Sequence, residues 1–387
     1  MLLILVLLLC LVAYGLVEYA LHRRNLMRVP VRIQVNGTRG KSSVTRLIAA
    51  GLRAGGMLVV AKTTGTKPRF ILGDREERPV RRLGKANIAE QLRMVRLANR
   101  HRARALVFEN MSLVPQYQDV EQRLLVRPTH AVVTNVRADH LDVMGPTVED
   151  VARALSSTVP RRGLFFTTQR EYLPILCRRA GPGLEAVVTD GSDVDDGMLE
   201  GFSYVEHREN VSLALAVCER VGIGRAVALA GMQRSAPDPG AMRIHALEAG
   251  GRHFELVNTL AANDPDSIKL LWAMMEHRAR HRIVLVNCRS DRTERSRQLA
   301  ELVAGWSVDR FIATGGLTRV FVRRARQLGV TADRLVDLGD DRPPAEVFAQ
   351  VSRLVPEGGL VFATGNTVGY GEELIRCFVE TGRADDH

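Results

Sequence analysis

Between Val31 and Gly56 the sequence reads VRIQVNGTRGKSSVTRLIAAGLRAGG, and its middle holds the residues with the plainest chemical meaning. Gly37 and Gly40 allow a loop to turn its backbone N–H groups inward, Lys41 brings an ammonium to the same place, and the Ser42 hydroxyl is a hard oxygen ligand for Mg2+. Thr38, Arg39 and Ser43 complete the loop. One group uses all of these together, a polyphosphate. A G-x-x-G-K-[ST] run is expected by chance roughly 0.004 times in a chain of this length and composition, so a plain glycine turn explains it poorly. The interval from Gly37 to Lys41 is shorter than in the G-x-x-x-x-G-K-[ST] loops of generic kinases and GTPases, and those versions fit less well.

Further along, VVAKTTGTKPRFILGD places Lys62, Thr63, Thr64, Gly65, Thr66, Lys67 and Arg69 after a second apolar run. Strand ends in an open α/β sheet gather at one edge, so Thr64, Thr66 and Lys67 are expected to position phosphates or an acidic substrate; a solvated basic turn is the alternative. ALVFE brings Glu109 to the end of another apolar run, and AVVTNV leads to Asp139, His140 and Asp142. A carboxylate and a neutral imidazole at adjacent strand ends can hold one divalent cation opposite Ser42, which makes Ser42, Glu109 and His140 the expected metal ligands. A strand-end salt bridge for Glu109 and a capping or surface histidine are the plain readings of the same residues.

Strands, loops and helices of the α/β class must hold these groups. Val31–Asn36 alternates as a strand, and Val44, Leu47, Ile48 and Leu52 line one face of the helix that follows the loop. The chain has 387 residues, 46% hydrophobic and 25% charged, which excludes disorder and allows one to three domains. Residues 1–21 carry one charge, Glu18. As a helix at 1.5 Å per residue this stretch covers about 30 Å, just enough to cross a bilayer. His22, Arg23, Arg24, Arg28 and Arg32 follow at once and no basic stretch precedes it, so an uncleaved anchor with the remainder in the cytoplasm is expected, a cleaved signal peptide being the rival. Five scattered cysteines without C-x-x-C spacing argue against a disulfide framework or a zinc site. The formal charge is +11, with lysine only at 41, 62, 67, 85 and 269. That excess of arginine suits an acidic substrate, anionic lipid or nucleic acid, and 5% aromatic residues without a stacking run put nucleic acid last.

NGTRGKSS, the FEN containing Glu109, and TNVRADHLDVMG resemble the ATP-binding signatures of the Mur ligase family, whose members join amino acids to peptidoglycan precursors or glutamates to folate. Within it the chain resembles most closely the ligase subunits of bacterial poly-gamma-glutamate synthases: NGTRGKSSVTRL, KTTGT, DHLDVMGPT, NVSLALAV, APDPGAMR, AANDPDS, NCRSDRTER and GNTVGYG follow in the same order over essentially the whole chain. The resemblance implies an N-terminal transmembrane helix, a Mur-ligase-like P-loop ATPase domain and a smaller C-terminal α/β domain, with ATP and Mg2+ as cofactors. The expected divisions are an anchor over 1–21, a basic linker over 22–30, an ATP-binding domain over 31–241 and a smaller ligase domain over 242–387. Glutamate and a growing anionic polymer are the implied substrates and small membrane subunits the implied partners, with homo-oligomerisation left open and no nucleic acid. The implied reaction is amide formation through an acyl-phosphate, releasing ADP and phosphate.

Residue by residue, the likeness puts Gly37, Thr38, Arg39, Gly40, Lys41, Ser42 and Ser43 around the phosphates, Glu109 and His140 on Mg2+, an asparagine such as Asn210 at the adenine, and Asn263 and Asp264 on ATP. Capping of their own helices is the structural alternative for Asn210 and Asp264. Arg243 either clamps phosphates on closure or is a linker arginine. Arg289 and Arg292 either meet the acceptor or the acyl-phosphate, or are interfacial. The expected catalytic set is therefore Lys41, Glu109, His140, Arg243 and Asp264, with the general base left among a metal-bound carboxylate, the phosphate and Asp264. One departure is firm. Many Mur ligases hold a second metal with a carbamylated lysine soon after the DH pair, and this chain has no lysine between 86 and 268, so Asp139, Asp142, Ser156, Ser157 or water must replace it, or one metal is used. The phosphate loop also follows the apolar segment too closely for the extra N-terminal substrate domain common in the family. The competing readings are the same ligase chemistry on another acidic or peptide acceptor, and a membrane-tethered nucleotide switch or transport ATPase.

Overall fold

Alternation of Val31, Ile33 and Val35 produces β1 (Val31–Asn36), which takes parallel partners on both sides and is thereby buried at its centre. In this computed structural model, residues 1–382 are described except 66–67, 74–75, 81, 83–86, 203, 238–241 and 263–264. The chain divides into two compact units, Met1–Asp238 and Pro239–His387. Among the described residues the first unit holds an eight-stranded sheet in the order β4-β3-β2-β5-β1-β6-β7-β8. Its other strands are β2 (Val59–Lys62), β3 (Arg69–Ile71), β4 (Glu77–Pro79), β5 (Ala105–Glu109), β6 (His130–Val133), β7 (Arg162–Thr167) and β8 (Gly183–Val188). Neighbouring strands pair in parallel except β2 with β3 and β3 with β4, which pair antiparallel.

Helix α2 (Lys41–Ala54) follows β1 and buries Val44, Leu47, Ile48 and Leu52 against the sheet and against the helices Arg208–Arg220 and Arg225–Gln233. Those helices come very close. A Cβ on Gly231 would lie 2.5 Å from the Ala54 Cβ and 2.7 Å from the Ala50 carbonyl oxygen, so a side chain there would push α2 out of place. This packing fixes the axis of the helix whose first turn adjoins the glycine loop.

Charge alone misplaces the end of the first helix. Helix α1 runs from Leu2 to Met27, past the expected limit at residue 21, so most of the expected 22–30 linker is helical and packed. Leu26 and Val29 join the apolar cluster of Phe70, Met94, Val95 and Phe108, and the His22 ring Nε2 lies 2.9 Å from the Leu125 carbonyl oxygen. The apolar residues Leu2 to Val17 stand exposed. Helix α3 (Glu90–Arg100) lies beside this foot, with Asn99 donating to the Asn25 carbonyl at 2.9 Å; it buries Gln91, Met94, Val95 and Ala98 at helical spacing.

A buried charge cluster sits under the β2 end of the sheet. Lys62 is fully buried, 3.0 Å from a Glu90 oxygen, and burial draws its ammonium below the usual range while Glu90 pulls the other way. Glu121 opens a π-helical turn, Glu121–Val126, and accepts from Gln91 at 2.6 Å.

The second unit carries a six-stranded sheet, ordered β13-β12-β11-β14-β10-β9. The antiparallel pair β9 (Arg243–Ala249) and β10 (Arg252–Asn258) forms one side, and β10 joins the parallel set β11 (Arg282–Cys288), β12 (Arg310–Gly315), β13 (Leu335–Asp337) and β14 (Gly359–Gly365). No disulfide forms among the described residues: Cys218 and Cys288 are buried, and burial pushes both thiols up to about 12.

Burial raises the Glu121 carboxyl from 4.5 to about 7, opposed by the Gln91 hydrogen bond and the Lys62 charge. The folded chain therefore keeps a proton that the unfolded chain has lost between those values, and this contribution to stability, full below 4.5, falls away as pH rises through about 7. Glu121→Gln is expected to flatten that limb of the profile of melting temperature against pH. An unchanged slope in the variant would assign the titration to another group.

Candidate active site

Strand order brings four chain segments side by side: the carboxyl ends of β2, β5, β1 and β6, in that sequence across the sheet. Lys62 registers with Phe108, and Val35 with Glu109, so the Lys62-Thr63-Thr64 turn, Glu109 and the loop after Asn36 emerge at one edge. Ligands of open α/β sheets collect at such an edge.

The loop from Gly37 to Gly40 leaves β1 in a conformation that needs glycine. Gly37 has φ 132° and Gly40 φ 75°. A Cβ on Gly37 would lie 2.1 Å from Thr134 Oγ1, and one on Gly40 would lie 2.8 Å from Asn210 Oδ1, so both positions exclude a side chain by conformation and by space. Helix α2 starts at Lys41 with Gly40 as its N-cap and no capping side chain. The helix Val148–Leu155 of the same unit is closed by a Thr147–Asp150 capping box. The first N–H groups of α2 and the positive end of its dipole are thus left for an anion. Lys41 donates to the Gly37 and Thr38 carbonyls at 2.7 and 3.1 Å, folded back over the loop. Desolvation lowers its ammonium from the usual range, Glu109 and Asp139 counter this, and Arg39 adds to it. A phosphate chain would supply the missing negative charge.

Beside the loop, Ser42 donates its hydroxyl proton to Glu109 Oε2 at 2.8 Å, and the Thr64 backbone N–H donates to the same oxygen at 2.6 Å. Ser42 and Glu109 therefore bring two hard oxygen donors together, the kind that suits Mg2+, while the Thr64 N–H orients the carboxylate. His140 is placed differently from expectation. The β5 and β6 ends are not neighbours, because β1 lies between them. Two strand spacings of about 4.8 Å separate the strands that lead to Glu109 and to His140, with β1 between them. His140 takes φ 46°, is half-exposed, and lies 3.7 Å from Asp139, which in turn pairs with Arg39 at 3.3 Å. Among the described residues no group of three His, Cys, Asp or Glu side chains is preassembled for a metal. Of the oxygens suggested as carbamate substitutes, Asp139 pairs with Arg39 and the Ser156 hydroxyl donates to the Arg153 carbonyl at 2.6 Å, while the Asp142 side chain lies outside what is described.

Asn210 does not cap its helix. His207 holds that position without a side-chain bond, while Asn210 donates to Glu206 at 2.8 Å and turns its oxygen toward Gly40. Thr66, Lys67, Asn263 and Asp264 lie outside the described residues. In the second unit, Arg243 is exposed at the start of β9, and Arg289 makes a two-pronged pair with Asp291, at 2.9 and 2.7 Å, just before the exposed Arg292. Gly365 of GNTVGYG is explained within its own unit: a Cβ there would lie 2.3 Å from the Asn287 carbonyl oxygen, and Asn287 and Asn366 exchange side-chain to backbone bonds of 2.6 and 3.1 Å.

Sequence reasoning passed over the residue that shapes the loop most. Asn135 Oδ1 accepts from the Thr38 hydroxyl at 2.6 Å and from the Arg39 N–H at 2.9 Å, its Nδ2 donates to the Arg39 carbonyl at 3.1 Å, and its carbonyl accepts the Thr38 N–H at 3.1 Å. Thr134 adds a hydroxyl donated to the Arg39 carbonyl at 2.5 Å. The signal was a Thr-Asn pair directly after the apolar AVV of β6, where polar side chains at a strand end face whatever its neighbour presents.

Comparison with known proteins places these features in context. Residues 35–169 match the model of the Mur ligase middle domain, and residues 244–381 that of the poly-gamma-glutamate synthase CapB C-terminal domain. The chain is 34% identical over 368 residues to PGA synthase CapB of Bacillus subtilis (strain 168), covering 93% of each chain. It is 35% identical to the capsule biosynthesis protein CapB of Bacillus anthracis, covering 96% of this chain and 81% of the relative. Among solved structures, E. coli FolC in complex with DHPP and ADP superposes with a TM-score of 0.64 at 16% identity, covering 93% of this chain and 92% of that one, a likeness of fold.

Asn135→Ala removes three side-chain hydrogen bonds from the loop, each worth about 1 kcal/mol. The expected result is a rise in the dissociation constant for ATP of about tenfold or more, measured by calorimetry, together with a fall in melting temperature of several degrees. Unchanged affinity would mean that the loop keeps its shape without Asn135.

Proposed function

The chain belongs to the Mur ligase superfamily, in its CapB poly-gamma-glutamate synthase branch, and from that premise we propose that it forms gamma-glutamyl amide bonds in a growing polyglutamate chain. It is an ATP-dependent amide ligase of this general type. What carries the narrower reading is an uncapped helix N-terminus joined to the Ser42–Glu109 pair, in a chain whose likeness to a polyglutamate ligase extends over 93% of its length.

In this reading the N–H groups of Gly40 to Ser43 and the Lys41 ammonium hold the β- and γ-phosphates, Thr38 and Arg39 shape the loop, and Asn210 contacts the adenine side. Ser42 and Glu109, with His140 from the far side of β1, would hold Mg2+, which when bound screens phosphate charge as a Lewis acid. A glutamyl carboxylate attacks the γ-phosphorus, its C–O–P bond forming as the bond to the ADP oxygen breaks. The neutral amine of a glutamate then attacks the acyl carbon, the C–N bond replaces the bond to phosphate, and phosphate and a proton leave. Lys41 stays charged through both steps, because the phosphates restore the negative partner that the loop carbonyls replace only in part. Thr64, Thr66, Lys67, Arg243, Arg289 and Arg292 are the proposed substrate-side groups, and Asn263 and Asp264 proposed contacts to ATP.

Localisation and partners belong to the same proposal. Helix α1 serves as a single-pass anchor with the catalytic units in the cytoplasm, supported by its 26-residue length, its exposed apolar face and the cluster of arginines after it. Small membrane subunits that receive an anionic product are the proposed companions. The same chemistry on a different acidic or peptide acceptor is the second reading, favoured by nothing specific in the site.

Glutamate-dependent ADP release by the purified full chain in membranes tests the proposal, with hydroxylamine present to trap the acyl-phosphate as a hydroxamate. Lys41→Ala is expected to lower turnover by at least about 100-fold, in line with the loss of a charge-stabilising donor. ADP release that is indifferent to glutamate, or that never yields hydroxamate, would overturn the polyglutamate reading.

A further inference from the structure

The sheet edge opposite the phosphate loop carries a second feature that the ligase reaction does not use. Where β1, β6, β7 and β8 begin, the first unit opens into a groove of about 1720 Å³. Eight arginines line it, against one carboxylate, Asp119. Arg123 and Arg179 share that carboxylate, at 3.3 and 3.1 Å. Arg127, Arg161 and Arg162 are exposed and have no ion pair among the described residues. Burial, with Arg220 and then the groove residue Arg32 adding, lowers His130 at the start of β6 to about 4.

One wall of the groove is the last turn of α1, through Arg23, Leu26 and Met27. A second basic surface borders the same foot. Arg93, Arg96 and Arg100 are exposed on α3 at spacings of three and four residues, on one helical face, and Arg96 lies 4.0 Å from Glu18 of α1. Both surfaces therefore meet the chain where its apolar helix gives way to charge, at the level that lipid headgroups occupy when such a helix spans a bilayer. Clustered arginines at that level attract anionic headgroups. A polymer being extended at the phosphates is made at the other end of β1, so the position favours lipid over product.

We propose that this groove is a headgroup site, in which Arg23, Arg127, Arg161 and Arg162 receive the phosphate of anionic phospholipid from the membrane that α1 enters. The inference rests on the reading of α1 as a membrane anchor. Its effect is to seat the first unit on an anionic bilayer surface, adding an electrostatic contact to the apolar one.

The test separates the two. Full-length protein in neutral detergent micelles is titrated with dihexanoyl phosphatidylglycerol or dihexanoyl phosphatidylcholine, and amide exchange is followed in segments 122–127 and 178–183. Phosphatidylglycerol is expected to slow exchange there and phosphatidylcholine to leave it unchanged. Each arginine contributes about fivefold near an anionic surface, so the triple variant Arg127→Gln/Arg161→Gln/Arg162→Gln is expected to weaken the binding by about 100-fold. ATP-dependent turnover in micelles and the melting temperature should stay at the parent values, which distinguishes loss of the site from loss of the fold. Equal protection by both lipids, protection by neither, or protection by a soluble gamma-glutamate oligomer in place of phosphatidylglycerol would overturn the headgroup site. Alkaline carbonate extraction of membranes reads α1 independently. Release of the chain with phosphatidylglycerol protection intact overturns the anchor and keeps the site, whereas retention without protection overturns the site alone.

Discussion

An ammonium and a helix N-terminus pointed at the same few cubic ångströms, with carbonyl oxygens as hydrogen-bond partners and Glu109 and Asp139 as the nearby negative charges, are what the first unit is built around. Lys41 is desolvated and folded onto the Gly37 and Thr38 carbonyls, and α2 has no capping side chain. Such an arrangement costs stability unless an anion completes it. The surrounding architecture holds it open nonetheless: close packing at Gly231 fixes the axis of α2, Asn135 clasps both sides of the Arg39 peptide unit, and Asn210 closes over Gly40. Under the proposed function, energy that folding could have spent on a capped helix is kept for binding, as a preorganised phosphate site requires.

The oxygen donors beside it follow from strand order. β1 sits between β5 and β6, so the loop leaves the sheet with Glu109 on one flank and the Thr134–Asn135 end on the other. Glu109 is reached by the Ser42 hydroxyl and the Thr64 amide together, which couples the first turn of α2 to the end of β2. Beneath that end, Lys62, Glu90 and Glu121 form a buried set of charges whose burial keeps Lys62 and Glu121 away from their ordinary ionisation. The Thr63–Thr64 turn thus stands on a base that is polar and mostly enclosed.

Some of this was legible in the residues alone. NGTRGKSS announces a phosphate loop because positive φ, an ammonium and a helix start must coincide, and glycine, lysine and serine state those needs directly. Glu109 was legible as a strand-end carboxylate, since an apolar run that finishes on a charge has few other uses. Its relation to His140 was not, because β5 and β6 follow one another in sequence while β1 separates them in space, and pairing order is a long-range property. The end of α1 was misplaced for a local reason: charge marks where a helix leaves an apolar medium, whereas the helix stops only when hydrogen bonding and packing stop it, at Met27. Gly365 of GNTVGYG accommodates the Asn287 backbone, and the sequence did not name that neighbour, since absence of a side chain announces a close approach without naming what approaches.

The joint between α1 and β1 has a mechanical meaning. Only residues 28–30 separate the two elements, and the Arg32 guanidinium is bonded to the Val29 carbonyl at 2.7 Å and to the Arg127 carbonyl at 2.9 Å, so the junction is stapled on two sides. It is a weld, where a flexible tether would have been a swivel. With α1 in a bilayer, the six residues of β1, about 20 Å at 3.3 Å per residue, would carry the glycine loop at their far end. A thinner bilayer that tilts α1 must then rotate the sheet with it, so membrane thickness becomes a variable on which the orientation of the nucleotide pocket depends.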